Sequence, residues 1–264
     1  MKKTLIALAL ATSAMASHSA MAATGGGWGD TGHNFELSGN ITISSSKNVW
    51  EVFSGVSDDL GTANIDKGSK EVVFIAKNAI PVLGIRSVQN FFGQNGITPQ
   101  ISYGNDALNI DSFMSNKADF TLPVKDKISG AQLGVLKTKL YAGAHISEKN
   151  TEGTTGFHSA AFAIEAGDAF YGGLPKESGR VESESFPAAI KNIIPDIMDK
   201  YDSQNVKSSE PMTWRFSNIL FKPMYSAYYG SGIQSGESIT VTLNNVPEHD
   251  VSWTASLPIT VTYM

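Results

Sequence analysis

Val251-Ser-Trp-Thr-Ala-Ser-Leu-Pro-Ile-Thr-Val-Thr-Tyr-Met264 closes the chain, and its alternation decides the fold class. Val251, Trp253, Ala255, Leu257, Ile259, Val261 and Tyr263 fall on one face, with Ser, Thr and Pro on the other. A period of two residues is the signature of a half-buried β-strand. No residue of this sequence follows the stretch to pair its second edge, and an open apolar edge invites aggregation unless something covers it. A partner strand is therefore expected. Asn34-Phe-Glu-Leu-Ser-Gly-Asn-Ile-Thr-Ile-Ser44 offers one: Phe35, Leu37, Ile41 and Ile43 are spaced by polar or small residues, and a glycine-rich leader precedes them. A glycine-flanked extended segment can add itself to a neighbour's exposed edge. The same pattern suits an ordinary first strand inside its own sheet, and pattern alone leaves both readings open.

The remainder of the chain supports an all-β reading. Short β-branched or aromatic runs bounded by Gly, Asn, Asp or Pro occur at 49–53, 71–76, 79–84, 99–103, 213–217 and 224–228, as in a sandwich of antiparallel strands. Residues 118–124 and 134–143 flank the turn-like Asp126-Lys-Ile-Ser-Gly130 and predict a hairpin. A second hairpin is expected between residues 236–243 and the last strand, across 244–250. The pattern breaks at 157–173, which is nearly continuously apolar, and at 185–201. There Phe186, Ala189, Ile190, Ile193, Ile194, Ile197, Met198 and Tyr201 have helical spacing. Ser185 is the expected N-cap and Pro187 fits the first turn, whereas Pro195 should kink the helix or split it.

At the other end, Lys2 and Lys3 precede an apolar run, and Ala20-Met21-Ala22 provides a small-x-small cleavage site. Residues 1–22 thus read as a secretory signal peptide. The sequence has no cysteine, so packing and strand pairing must hold the exported chain together. With 17% charged residues and a net charge of -5, nucleic-acid binding has no electrostatic support. His18, His33, His145, His158 and His249 lack metal-ligand spacing, and neither a nucleophile elbow nor a phosphate-binding glycine loop occurs. Asp58-Asp59 and the Glu182/Glu184 pair read as solvated turns. No catalytic role, metal or cofactor is expected.

A colinear set of segments resembles the K88 (F4) class of adhesive fimbrial subunits of enteric Gram-negative bacteria. It comprises the leader Met1-Lys-Lys-Thr-Leu-Ile-Ala-Leu-Ala, Ser38-Gly-Asn-Ile-Thr42, Trp50-Glu51, Pro81-Val-Leu-Gly84, Pro99-Gln-Ile101 and Leu122-Pro-Val-Lys125. It continues with Tyr141-Ala-Gly143, Phe170-Tyr-Gly-Gly-Leu174, Ser226-Ala-Tyr-Tyr-Gly-Ser-Gly-Ile233 and the closing Ile259-Thr-Val-Thr-Tyr263. The resemblance implies an incomplete immunoglobulin-like β-sandwich, residues 46–264, with a small helical insertion around 157–205. It also implies an N-terminal extension, residues 23–45, whose Phe35, Leu37, Ile41 and Ile43 complete a neighbouring subunit. The acceptor groove, with Val251, Trp253, Leu257, Ile259, Val261 and Tyr263, would first hold a strand of a periplasmic chaperone. An outer-membrane usher would then exchange that strand for the donor on the way to the cell surface. Burial of about four such side chains contributes roughly 6–12 kcal/mol before ordering costs. Receptor specificity in this class is placed in the insertion, where Phe157, Tyr171 and Tyr201 could stack on a host glycan, although aromatics at such spacings also serve as core. A minor non-adhesive subunit, a secreted monomeric carbohydrate-binding β-domain and an outer-membrane β-barrel are the other readings.

Overall fold

The computed structural model of the chain describes residues 39–41 (backbone), 49–55, 60–104, 106–152 and 155–264. All of them belong to one compact unit, His33–Met264. The signal segment, Phe35, Leu37 and Ile43 lie outside the described residues.

The fold is all-β with one small helix. Its strands are β1 (Gly39–Ile41), β2 (Trp50–Ser54), β3 (Glu71–Ile75), β4 (Ile80–Ser87), β5 (Phe91–Phe92), β6 (Pro99–Tyr103), β7 (Leu108–Met114) and β8 (Lys117–Asp126). These are followed by β9 (Gln132–Asn150), β10 (Gly156–Ala160), helix α1 (Phe186–Ile193), β11 (Lys207–Ser208), β12 (Pro223–Ile233), β13 (Ser238–Leu243), β14 (Trp253–Ala255) and β15 (Ile259–Tyr263). The long β9 is the spine of the larger sheet. Its first half pairs with β8 and β13, and its second half with β12 and β10, all antiparallel. The β8–β9 hairpin turns at Asp126, whose carboxylate accepts the N–H groups of Ile128 and Ser129, as expected from the sequence. A smaller sheet, β1-β15-β6, faces the larger one. One continuous core joins them, with Ile101, Tyr103, Ile259 and Val261 on one side and Ile85, Leu140, Tyr225 and Tyr229 on the other. The polar tips inside it are paired: Tyr103 Oη lies 2.7 Å from both Tyr229 Oη and Ser231 Oγ.

Four expectations need correction. The C-terminal stretch is two strands: β14 pairs with β8, whereas β15 pairs with β6 in the other sheet. The switch falls at Pro258, which has no N–H for a ladder and whose carbonyl accepts Gly104 N at 2.8 Å. Alternation continues through the switch, since Ala255, Leu257, Ile259 and Val261 are all buried. Second, β13 does not form a hairpin with the last strand; it lies between β3 and β9, burying Ile239 and Val241. The 244–250 connection is too long for a tight turn and carries the chain to another neighbour. Third, residues 213–217 form no strand, although Trp214 and Phe216 are buried in the core. Fourth, the helix stops at Ile193, just before Pro195, and residues 195–200 continue as turns. Ser185 occupies the N-cap without a side-chain cap; its hydroxyl donates to Glu182 Oε1 at 2.6 Å.

The helix seats on glycines. Phe186, Ile190, Ile193, Ile194 and Ile197 cluster with Tyr141 and Tyr228 on the sheet. A Cβ at Gly143, Gly230 or Gly232 would lie under 3.0 Å from Phe186, Ile190 or Ile193 respectively. Only glycine lets the helix reach the sheet, so two of the segments that carry the family resemblance, 141–143 and 226–233, are a helix seat. Beyond α1, Arg86 holds Glu51 and Asp196, and Lys200 pairs with Glu51, tying the insertion to β2 and β4. Gly230→Val is expected to destabilise the domain by about 1–3 kcal/mol through overpacking, which is roughly 2–12 °C in Tm for a domain of this size. Thermal unfolding followed by circular dichroism checks this, and an unchanged Tm would remove the seat from the account.

Candidate functional site

The site is the outer edge of β15. One edge of this strand is satisfied by β6, with Ile259 opposite Tyr103 and Tyr263 opposite Pro99. On the other edge lies the short β1, in parallel register: Gly39 with Ile259, Asn40 with Thr260 and Ile41 with Val261. The backbone of residues 39–41 therefore meets the C-terminal strand within the chain itself.

The six acceptor-side residues separate into three groups. Leu257, Ile259 and Val261 are buried and belong to the shared core. Trp253 and Tyr263 are half-buried; the Trp253 ring stands 5.8 Å from Phe74, while burial raises the Tyr263 hydroxyl above its ordinary pKa and leaves it without a hydrogen-bond partner among the described residues. Val251 precedes both strands and is exposed, so it stands outside the edge that the alternation had assigned to it. Of the donor side, only the backbone of Ile41 is described.

Both ends of β15 have neighbours that fix its direction. At its Tyr263 end, Met264 and Thr98 exchange N–H···O bonds of 3.0 and 2.9 Å, and Trp50 Nε1 donates to Ile97 O at 2.6 Å. Val49, where the N-terminal segment joins the sandwich, sits at this same end and accepts Val88 N at 2.9 Å. At the Ile259 end lie the 126–131 turn and the 244–252 connection, joined by the Lys127 N to Ser252 O bond of 3.0 Å.

The three aromatics singled out in the insertion belong to different neighbourhoods. Phe157, on β10, is 42% exposed. Tyr171 is half-buried against the core, and its carbonyl accepts Ile101 N at 2.8 Å. Tyr201 is spent on packing: its ring lies 5.1 Å from Tyr228 and 5.5 Å from His145. Among them, only Phe157 presents a free face.

Sequence spacing missed a histidine pair. The β9–β10 pairing sets His145 opposite Ala160 and His158 opposite Ser147, bringing His145 Nε2 to 3.1 Å from His158 Nδ1. Recognising residues 145–158 as a hairpin would have revealed it. Among the described residues no group of three metal-ligating side chains forms. Burial, reinforced by the neighbouring His158, pushes the His145 pKa down to about 4. The folded state thus refuses a proton that the unfolded chain accepts near pH 6.5, and this contribution to stability is lost as pH falls from about 6.5 to 4. Its full size is roughly 3 kcal/mol. The loss of Tm between pH 7 and pH 4.5 is expected to be smaller in His145→Gln than in the parent; equal losses would show that His145 does not titrate as described.

The family described as fimbrial, major and minor subunit, matches residues 1–264. The F41 fimbrial protein of Escherichia coli is 29% identical over 290 aligned residues, covering 100% of both chains. The K88 fimbrial proteins AC and AD of Escherichia coli are 28% and 27% identical over 297 and 299 aligned residues, again covering 100% of both.

Proposed function

The chain belongs to this family of K88-type fimbrial subunits, which are structural components of surface fimbriae rather than enzymes, and from that premise we propose that it polymerises by exchanging β1 between copies. The observation that carries the reading is the occupied edge of β15. The chain's own segment must end at Val49, beside Tyr263, so along its own edge it runs parallel to β15. A segment arriving from another copy is free to enter from the Ile259 end and to run antiparallel, the slightly more stable pairing per residue. Exchange thus replaces a short parallel pairing by a longer antiparallel one, adding the side chains of Phe35, Leu37, Ile41 and Ile43 over Leu257, Ile259 and Val261.

Until exchange occurs, the edge needs protection. A periplasmic chaperone that lends a strand to β15 would provide it, with an outer-membrane usher driving the replacement, and residues 1–22 acting as the export signal. Once assembled, the insertion at 157–205 is the proposed face toward a host glycan receptor, with Phe157 as its exposed aromatic.

A monomeric secreted β-domain is the second reading, favoured by the fact that β1 lies on its own chain's edge. Gel behaviour separates the two. Surface-sheared material run unboiled under denaturing conditions is expected to give a ladder at multiples of the monomer that collapses on boiling, because buried strands exchange slowly. Monomer alone in the unboiled lane would favour the secreted domain.

A further inference from the structure

Several of the large exposed apolar side chains lie at the two ends of the sandwich. At the Tyr263 end, Ile219, Leu220 and Phe221 stand consecutively in the open, Leu220 at 66% exposure, with Phe92 beside them at 57%. Phe92 pairs with Met224 in the ladder, and Gly93 N donates to Pro223 O at 3.1 Å, which sets β5 against the base of this loop. The loop is built rather than slack. Phe221 and Lys222 both have positive φ, 60° and 45°, a region that bulky residues avoid. They are held there by Thr151, whose Oγ1 donates to Lys222 O at 2.8 Å, and by the Lys222–Glu152 ion pair. At the Ile259 end, Ile128 is 93% exposed at the tip of the β8–β9 turn. Val251 lies next to it through the Lys127 to Ser252 bond, and Val246 follows β13, where Asn244 N donates to Leu133 O.

We infer that these two apolar ends meet between successive copies of this chain, forming a head-to-tail contact beside the exchanged strand. The inference rests on the exchange reading given above, and the direction of the chain selects the occupant. The donated segment leaves the sandwich at Val49, which is at the Tyr263 end. Lying antiparallel on a neighbour's β15, it draws that end against the neighbour's Ile259 end. Ile219, Leu220, Phe221 and Phe92 are thereby brought to Ile128, Val246 and Val251 of the next copy. Two different patches in contact make a heterologous interface, which propagates as a filament instead of closing into a dimer. Consecutive exposed apolar residues such as Ile219, Leu220 and Phe221 are the kind of surface that marks an interaction site.

The absence of native cysteine makes the test clean. The double variant Leu220→Cys/Ile128→Cys is treated as intact fibre with a flexible bis-maleimide and run boiled on a denaturing gel. The expected result is a ladder that survives boiling, with each single variant giving nothing beyond dimer. Leu220→Cys/Lys139→Cys, whose second site is exposed in the middle of β9, is expected to collapse to monomer. If the unboiled lane shows a ladder but the boiled double variant is monomeric, the end contact is overturned while strand exchange stands. If untreated wild-type material gives no unboiled ladder, the exchange reading fails and the contact falls with it.

Discussion

Deleting residues 31–43 is expected to abolish multimers while leaving a folded subunit. The two sheets keep their common core without this segment, since β15 retains its full ladder with β6 and its buried side chains face Ile101, Tyr103 and the larger sheet. What disappears is the proposed donor. Its four apolar side chains contribute roughly 6–12 kcal/mol of gross burial, before the cost of ordering the segment, so their loss should reduce polymer to an undetectable level. The truncated subunit should accumulate bound to the proposed chaperone. A synthetic peptide copying residues 31–44 should bind to it, and the same peptide with Leu37→Asp should not. Fibres of normal length from the deletion would remove residues 35–43 from the joint altogether.

Val261→Asp should act one step earlier. Val261 is 2% exposed and is the residue against which Ile41 registers on β1. An unpaired carboxylate there would have to be desolvated or protonated, at a cost of several kcal/mol, comparable with the whole stability of many domains. The core and the strand-accepting edge would fail together, and periplasmic subunit should fall to a small fraction of the wild-type level, as measured by immunoblot of cell extracts. Thr260→Asp, one residue away on the half-buried face of β15, provides the contrast and should accumulate. Equal levels of Val261→Asp and wild type would contradict the burial assigned to this edge.

Much of this was legible in the sequence because alternation is a local signal. Ala255, Leu257, Ile259 and Val261 declared their common face, and the Asp126 turn declared the β8–β9 hairpin. What stayed hidden depends on partners distant in sequence. Pro258 marks the place where the last strand changes sheets, yet nothing local distinguishes a sheet switch from a mere edge proline. The expected hairpin of β13 with the C-terminal strand failed for the same reason: sequential strands usually pair, and here Val72, Phe74 and Leu136 supply the neighbours instead. In the sequence Gly143, Gly230 and Gly232 are only part of a family pattern, and their purpose becomes visible once α1 lies over them. Val251 keeps the period of the last strand but lies in the 244–252 connection, exposed to solvent.

The same logic explains why the proposed receptor face was the least legible part. Phe157, Tyr171 and Tyr201 are alike in the sequence, but Tyr201 packs on Tyr228 and His145 and Tyr171 leans on the core. Exposure, not residue type, distinguishes them, and exposure is settled by which strand runs alongside.

In the proposed fibre the strand on the outer edge of β15 comes from another copy of the chain, in place of the chain's own β1. Asn40 and Thr260 are partners in the parallel pairing within one chain; in an antiparallel joint they lie along the same edge within the span of a flexible linker, and the sequence has no cysteine to interfere. Fibres of the variant Asn40→Cys/Thr260→Cys, treated with a flexible bis-maleimide and boiled before electrophoresis, are predicted to run as covalent multimers. Cross-linked monomer alone, with both cysteines joined within one chain, would contradict strand exchange.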